Sequence, residues 1–231
     1  ECIHTHHASM ENLLAKSEIS KEFNISHIAT MHGMYEMMEN NDEEIITNDQ
    51  SVDHWCYIAE KNLIPFKRLG LYDPSKFTKV NNGIPEFKVK PFDREKYGIS
   101  SDAFVFCLAS RAMISKGWFE AIEAVKIARK KTKRDLQLLL IGDGDVYEKL
   151  KSERLPDFIH LLGFRNNVLD FFAGSDVVLL PSYYKGESVP LVIIESFYCG
   201  KPVIASNIGE VKNMLSVDGC NQAGILIGLK E

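Results

Sequence analysis

From Ala103 onward the chain repeats one pattern, a short unbroken apolar run followed by a longer stretch of helical character. The apolar runs are Ala103–Ala109, Leu136–Ile141, Ile159–Leu162, Val177–Leu180, Val203–Ser206 and Ala223–Gly228. Between them stand Gly117–Lys131, Val146–Arg154, Val168–Ala173, a helix opening near Pro190, and Val211–Leu215. A strand that is apolar on both sides must be buried on both sides, and strands joined through helices run parallel. The pattern therefore predicts an α/β fold: a parallel sheet covered on both faces, with ligands held at the carboxyl ends of its strands.

Ahead of this region the rhythm is looser. Cys2–His6 and His27–Met31 read as strands and Ala8–Lys16 as a helix. Glu36–Glu44 reads as a polar loop, Glu44–Thr47 as a short strand and Val52–Asn62 as a helix. Asn82-Gly83-Ile84-Pro85 is a strong turn signal, and Phe87–Lys96, rich in Lys and Pro, reads as a linker. The expected organisation is two Rossmann-like parallel-sheet units, the first incomplete, spanning 1–88 and 89–231.

Hydrophobic residues make up 45% of the 231, enough for a packed core. The net charge of −5 argues against nucleic acid as a partner. Cys2, Cys56, Cys107, Cys199 and Cys220 are scattered without a C-x-x-C pair, which suits reduced thiols in a cytosolic protein. No apolar run reaches the length of a membrane span, and no signal peptide is visible. The chain opens at Glu1 directly into a strand-like run and stops just after another, so it reads as part of a larger protein, cut at both ends.

The richest chemistry lies in Pro181–Glu210. Glu187 sits in a polar turn, Ser188 suits a helix N-cap and Pro190 the first turn. Leu191, Ile194 and Tyr198 are the expected buried stripe, and Gly200 with Pro202 the stop. Glu195 falls inside the helix. A helix mouth attracts anions, so an acid on either side of it suggests a ligand with hydroxyls flanking a phosphate. Arg111 and Lys116 follow the strand Ala103–Ala109 and stand next to another helix mouth, where they could grip phosphate oxygens or be solvated surface cations. Gly142 and Gly144 of the Ile141–Asp145 turn permit close backbone approach. Phe164 is either core or a flank for a planar base. Asp143 and Asp145 are too short a match to assign a metal. His4 and His6 share one strand face while His7 points away, and no acid or thiol at fitting spacing joins them. His32 ends a buried strand before Gly33, where α/β active sites form, although a hydrogen-bonded structural histidine fits the same place. Tyr183 and Tyr184 are either loop packing or a substrate platform.

Taken in order, SRAMISKGWFEAIEA, LLLIGDGD, HLLGF, DVVLLPS and GESVPLVIIESFYCGKPVIASNIGE resemble the nucleotide-sugar half of the retaining glycosyltransferases of family 4, the glycosyl transferases group 1, which have the GT-B fold. IHTHHAS, HIATMHG, EEIITND and VNNGIP resemble, more loosely, the second half of that family's acceptor-side domain. The family's leading strands and closing helices have no counterpart. The resemblance implies transfer of a sugar from a nucleotide-sugar donor to a glycan or lipid-linked acceptor with retained anomeric configuration, in bacterial cell-surface polysaccharide assembly. It implies that Arg111 and Lys116 hold the donor diphosphate, that Ser188, Val189, Pro190 and Leu191 add the helix mouth, and that Glu195 takes the ribose hydroxyls. Glu187 would face the transferred sugar and His32 would reach that sugar and its phosphate. Gly142, Gly144, Phe164 and Asn82 complete the implied donor site. No metal or other cofactor is implied. A cytoplasmic place follows, at the inner face of the membrane where the preceding part of such a protein makes peripheral contact. Gly186 stands before Glu187 and Ser188 after it, where the family commonly has glycine, and Glu210 takes a second frequent glycine position. A sugar-nucleotide epimerase, a glycoside phosphorylase of the same fold and a non-catalytic sugar-nucleotide-binding fragment remain as alternatives.

Overall fold

The computed structural model describes residues 1–17, 19–33, 35–38, 41–217 and 221–229. The chain divides into two units, the first comprising Glu1–Asn82 with Lys185–Val189, the second Gly83–Tyr184 with Pro190–Glu231.

The first unit runs β1 (Cys2–Thr5), α1 (Ala8–Ser17), α2 (Ile19–Glu22), β2 (Ser26–Met31), α3 (Asp42–Ser51), β3 (His54–Tyr57), α4 (Ile64–Arg68) and β4 (Phe77–Lys79). The strands form a parallel sheet in the order β1-β2-β3-β4. Register places Ala29, Trp55 and Phe77 in one row. Trp55, Phe66, Tyr35 and Met31 are buried in the core built on that face. Two sequence expectations fail here. Residues 44–47 belong to helix α3, not a strand, and the helix also takes over the end of the expected polar loop. Its first turn holds Asp42, Glu43 and Glu44, which favour a helix N-terminus, and Ile45 and Asn48 are buried at helical spacing. The expected helix Val52–Asn62 is instead strand β3 followed by a 3₁₀ turn at Glu60–Leu63. Hydrogen-bonding partners on both sides and full burial of Trp55 decide in favour of the strand.

The second unit runs β5 (Phe104–Ala109), α5 (Trp118–Lys131), β6 (Leu136–Ile141), α6 (Asp145–Lys151), β7 (Ile159–Gly163), α7 (Val168–Gly174), β8 (Val177–Leu180), α8 (Leu191–Tyr198), β9 (Val203–Ser206) and α9 (Val211–Leu215). A short antiparallel pair, β10 (Ser216–Val217) and β11 (Asn221–Gln222), precedes β12 (Gly224–Ile227). The main sheet is parallel in the order β12-β9-β8-β5-β6-β7. Alternate residues face opposite layers. Val105, Cys107, Leu139, Val178 and Val203 pack with α7, α8 and α9, while Leu108, Leu138, Leu140 and Leu179 pack with α5 and α6. Every residue of β6 is buried, as a strand covered on both faces requires. The chain leaves β5 in one direction and returns beside it as β8, so the β5–β8 boundary is the topological switch point.

The expected linker is not loose. Lys90 and Phe92 donate their N–H groups to the side chain and carbonyl of Asp170, at 2.9 and 3.0 Å. Phe92 stacks on Phe171, and the Tyr198 hydroxyl lies 2.9 and 2.8 Å from the N–H and carbonyl of Phe87. Arg94 then donates to the carbonyls of Gly174 and Ala103 and pairs with Asp176 at 3.0 Å.

Candidate functional site

The loops that follow β5 and β8 are zipped together at the switch point. Tyr183 N–H donates to the Ser115 carbonyl at 2.8 Å. Gly117 has φ +76°, and a Cβ there would stand 2.2 Å from the Pro181 carbonyl oxygen, so glycine is what lets these loops meet. The turn after β6 is clamped in the same way. Ser110 and Ala112 donate to the carbonyls of Ile141 and Asp143, at 3.0 and 2.6 Å. A Cβ on Gly142 would lie 1.9 Å from the Ser110 carbonyl oxygen, and one on Gly144 2.8 Å from that of Ala112. Protein backbone, then, accounts for both glycines. Gly142 lines the cleft described next, and Gly144 sits against Ala112 at the mouth of α6.

A cleft of about 240 Å³ opens beyond the ends of β5, β6 and β7, lined among others by Arg111, Gly142, Phe164 and Glu195. Four positions singled out in the sequence are thus brought to one place. Asp143 and Arg165 join them; neither was assigned to the site from sequence. Arg165 directly follows Phe164 in HLLGFR, and that adjacency was the available signal. Phe164 is 67% exposed, which sets aside the core reading and leaves a ring face available to a planar group. Burial raises the Glu195 carboxyl above the usual carboxylate range, and no donor or cation among the described residues meets its oxygens. Arg111 is exposed and pairs with no carboxylate among the described residues; its guanidinium lies 5.7 Å from the centre of the Tyr184 ring. Lys116 is buried to 9% exposure and holds its ammonium 4.8 Å from the same ring. Tyr184 therefore joins the two cations that the sequence singled out.

The helix bearing Glu195 starts later than expected. It begins at Leu191, with Pro190 extended at φ −67° and ψ 119° as its cap, so Ser188 is not the N-cap. The residue before a proline is held out of the helical region, which bars Val189 from a first turn capped by Ser188. The buried face also differs. Ile193 and Ser196 are enclosed, while Leu191 and Tyr198 are 45% and 42% exposed. Apolar residues surround this helix on most sides, so its sequence does not select a face.

The remaining expected residues lie in the first unit. Lys61 donates to the carbonyls of Lys185 and Glu187, at 3.1 and 2.5 Å, and the Asn82 side chain donates to the Val189 carbonyl at 3.0 Å. Asn82 and the unanticipated Lys61 thus hold the backbone of the segment carrying Glu187 and the buried Ser188. His32 is exposed at the end of β2, with Nε2 3.0 Å from His6 Nδ1. Among the described residues no three His, Cys, Asp or Glu side chains take a metal-holding arrangement. Cys2, Cys56, Cys107 and Cys199 are free thiols, and Cys220 lies outside the described residues.

The family described as glycosyl transferases group 1 matches residues 89–227. The chain is a member of that family. The UDP-Gal:alpha-D-GlcNAc-diphosphoundecaprenol alpha-1,3-galactosyltransferase of Escherichia coli is 31% identical over 165 residues, 66% of this chain and 42% of its own length. The N-acetyl-alpha-D-glucosaminyl L-malate synthase of Bacillus anthracis is 30% identical over 126 residues, 53% of this chain and 32% of its own length. The chain thus spans less than half of either glycosyl transferase relative. Among solved structures, Anabaena HepE in complex with UDP superposes with a TM-score of 0.78 at 19% identity, over 100% of this chain and 65% of HepE. The same protein has been solved with UDP-glucose, with a TM-score of 0.77 at 20% identity. These likenesses show the fold, α/β with parallel sheets of the GT-B type. No helix among the described residues is long and apolar enough to cross a membrane.

Proposed function

We propose that this chain carries the donor site of a glycosyltransferase that moves a sugar from a nucleotide-sugar to a glycan or lipid-linked acceptor with retained anomeric configuration, in bacterial cell-surface polysaccharide assembly. One observation carries the reading. At the carboxyl ends of a parallel sheet, one cleft gathers an arginine and a half-buried glutamate, neither with an oppositely charged partner among the described residues, and an exposed phenylalanine. Those groups match a diphosphate, a ribose and a base. The E. coli relative's name specifies a UDP-sugar and a diphosphate-linked lipid, and HepE has been solved with UDP and UDP-glucose, which supports the same class of donor.

Departure of the nucleotide builds negative charge on the diphosphate and positive charge on the sugar ring. Arg111 and Lys116 stabilise the leaving diphosphate by fixed charge, the type of interaction that usually contributes most. The N–H groups at the start of α8 add to it. Glu195 takes the ribose hydroxyls, Glu187 holds the sugar and favours its cationic ring, and His32 contacts the sugar. Fixed cations can serve the leaving group as a divalent ion would, so transfer by the full-length enzyme is expected to persist in excess chelator. Loss of activity restored by Mg²⁺ would bring Asp143 and Asp145 back as ligands.

Calorimetric titration of the folded protein with UDP and with GDP tests the donor site. Binding of at least one, weakened about tenfold or more in Arg111→Ala, is expected from the loss of charge-assisted hydrogen bonds. Absence of heat with both nucleotides would remove the donor-site assignment.

A further inference from the structure

The histidines at the carboxyl end of the first sheet form a contact series, of which the donor reading uses only His32. Parallel pairing of β1 with β2 sets His4 opposite Ile28 and Thr5 opposite Ala29, so the same register puts His6 opposite Thr30, on the face that His32 shares two residues further on. His4 Nε2 lies 2.8 Å from Thr30 Oγ1, anchoring the first ring. The His4 and His6 ring centres are 4.2 Å apart, and those of His6 and His32 5.3 Å apart with their planes 26° from parallel. His6 Nδ1 and His32 Nε2 are 3.0 Å apart. Two imidazole nitrogens at that distance cannot both carry hydrogen; one donates and the other accepts.

We infer that His6 is a positioning residue for His32: it accepts a hydrogen bond from His32 Nε2–H at Nδ1, and so leaves His32 Nδ1 bare to accept a hydrogen bond from a sugar hydroxyl. This rests on the assignment of His32 to the sugar in the proposed function. The direction of the bond follows from tautomer preference. A neutral histidine ring favours hydrogen on Nε2. Donation from His32 to His6 leaves both rings in that form, whereas the reverse direction forces both into the Nδ1–H form. A histidine's second nitrogen is commonly what fixes the state of its first. Partial burial, then His6 and His4, hold the His32 pKa below the ordinary histidine value, which keeps the ring neutral at pH 7 as the arrangement requires.

Two substitutions separate the hydrogen bond from the ring contact. His6→Phe keeps a ring against His32 and removes the acceptor. His6→Asn removes the ring and sets an amide oxygen near the lost Nδ1. Long-range ¹H–¹⁵N correlation spectra of the full-length protein, labelled on histidine nitrogen, report the His32 tautomer directly. The expected result is Nε2–H in the wild type, a mixture of tautomers in His6→Phe, and a return toward Nε2–H in His6→Asn. In transfer assays kcat is expected to fall about tenfold or more in His6→Phe at little change in donor KM, with partial recovery in His6→Asn. An Nδ1–H tautomer in the wild type, or an unchanged tautomer in His6→Phe, would overturn the inference. The spectra need neither donor nor acceptor, so they fail independently of the transferase reading. Full transfer activity in His32→Ala would instead overturn the assignment of His32 to the sugar.

Discussion

A carboxylate held half-buried with no partner costs the fold free energy, and Glu195 meets no donor or cation among the described residues. It sits one turn into α8, on a helix whose other enclosed side chains, Ile193 and Ser196, pack into the protein. Sites that must bind a ligand tend to keep polar groups that the free protein does not satisfy. Glu195→Gln is therefore expected to raise the thermal unfolding midpoint at neutral pH while weakening nucleoside diphosphate binding several-fold. Melting curves and calorimetry on the same two proteins decide it, and a lower midpoint together with unchanged affinity would make Glu195 a structural residue. The glycines invite the opposite conclusion. Gly142 and Gly144 read in sequence as places for a ligand to approach, yet their missing Cβ atoms make room for the carbonyls of Ser110 and Ala112. Gly142 lines the cleft itself, and both glycines hold in place the 110–112 loop that carries Arg111.

The segment leading into β5 illustrates how composition misleads about an element. Lys and Pro between Phe87 and Lys96 suggest a solvated linker. The structure instead ties this strap to α7 and β8 through backbone bonds to Asp170 and through Arg94, which meets Gly174, Ala103, Ser101 and Asp176. Asp176 also accepts from the Val105 N–H at 2.7 Å, so one arginine orders the acid that positions the start of β5. Arg94→Ala removes several of these bonds at once and is expected to cost about 2 kcal/mol. Urea denaturation would register that loss; a change within about 0.5 kcal/mol would show that the strap contributes little. Phe92 contributes independently, since its ring edge occupies the space where a Cβ on Gly174 would stand, 2.3 Å from Cδ1.

Across the whole molecule, pH acts through histidines in both units. Burial is the largest influence lowering the pKa of His4 and His32 in the first unit and of His160 in the second. A histidine whose folded pKa is depressed takes up its proton first in the unfolded chain. Its stabilising effect is complete above the unfolded value and is lost as pH falls through that value toward the folded one. The Glu195 carboxyl, raised by burial, pulls the other way, one group against three. The urea midpoint is therefore expected to drop between about pH 7.5 and about pH 5. His160→Phe should flatten that dependence whatever its effect on the absolute midpoint, because it removes one of the three groups. An equal slope in both proteins would dismiss His160 as a contributor.

The sequence by itself determined the second unit's architecture, because continuous apolar runs admit little except strands buried on both faces. It also determined which charged and aromatic residues stand just beyond those strands, and Arg111, Phe164 and Glu195 do share one cleft. It misjudged residues 44–47 and 52–62, where short β-branched and aromatic stretches suit either helix or strand and only neighbouring strands settle the matter. Tertiary structure alone decided which face of α8 is buried, since that helix is apolar on most sides and the sheet beneath it makes the choice. It alone brought His6 against His32, because twenty-five intervening residues hide a juxtaposition that exists only through the parallel pairing of β1 with β2.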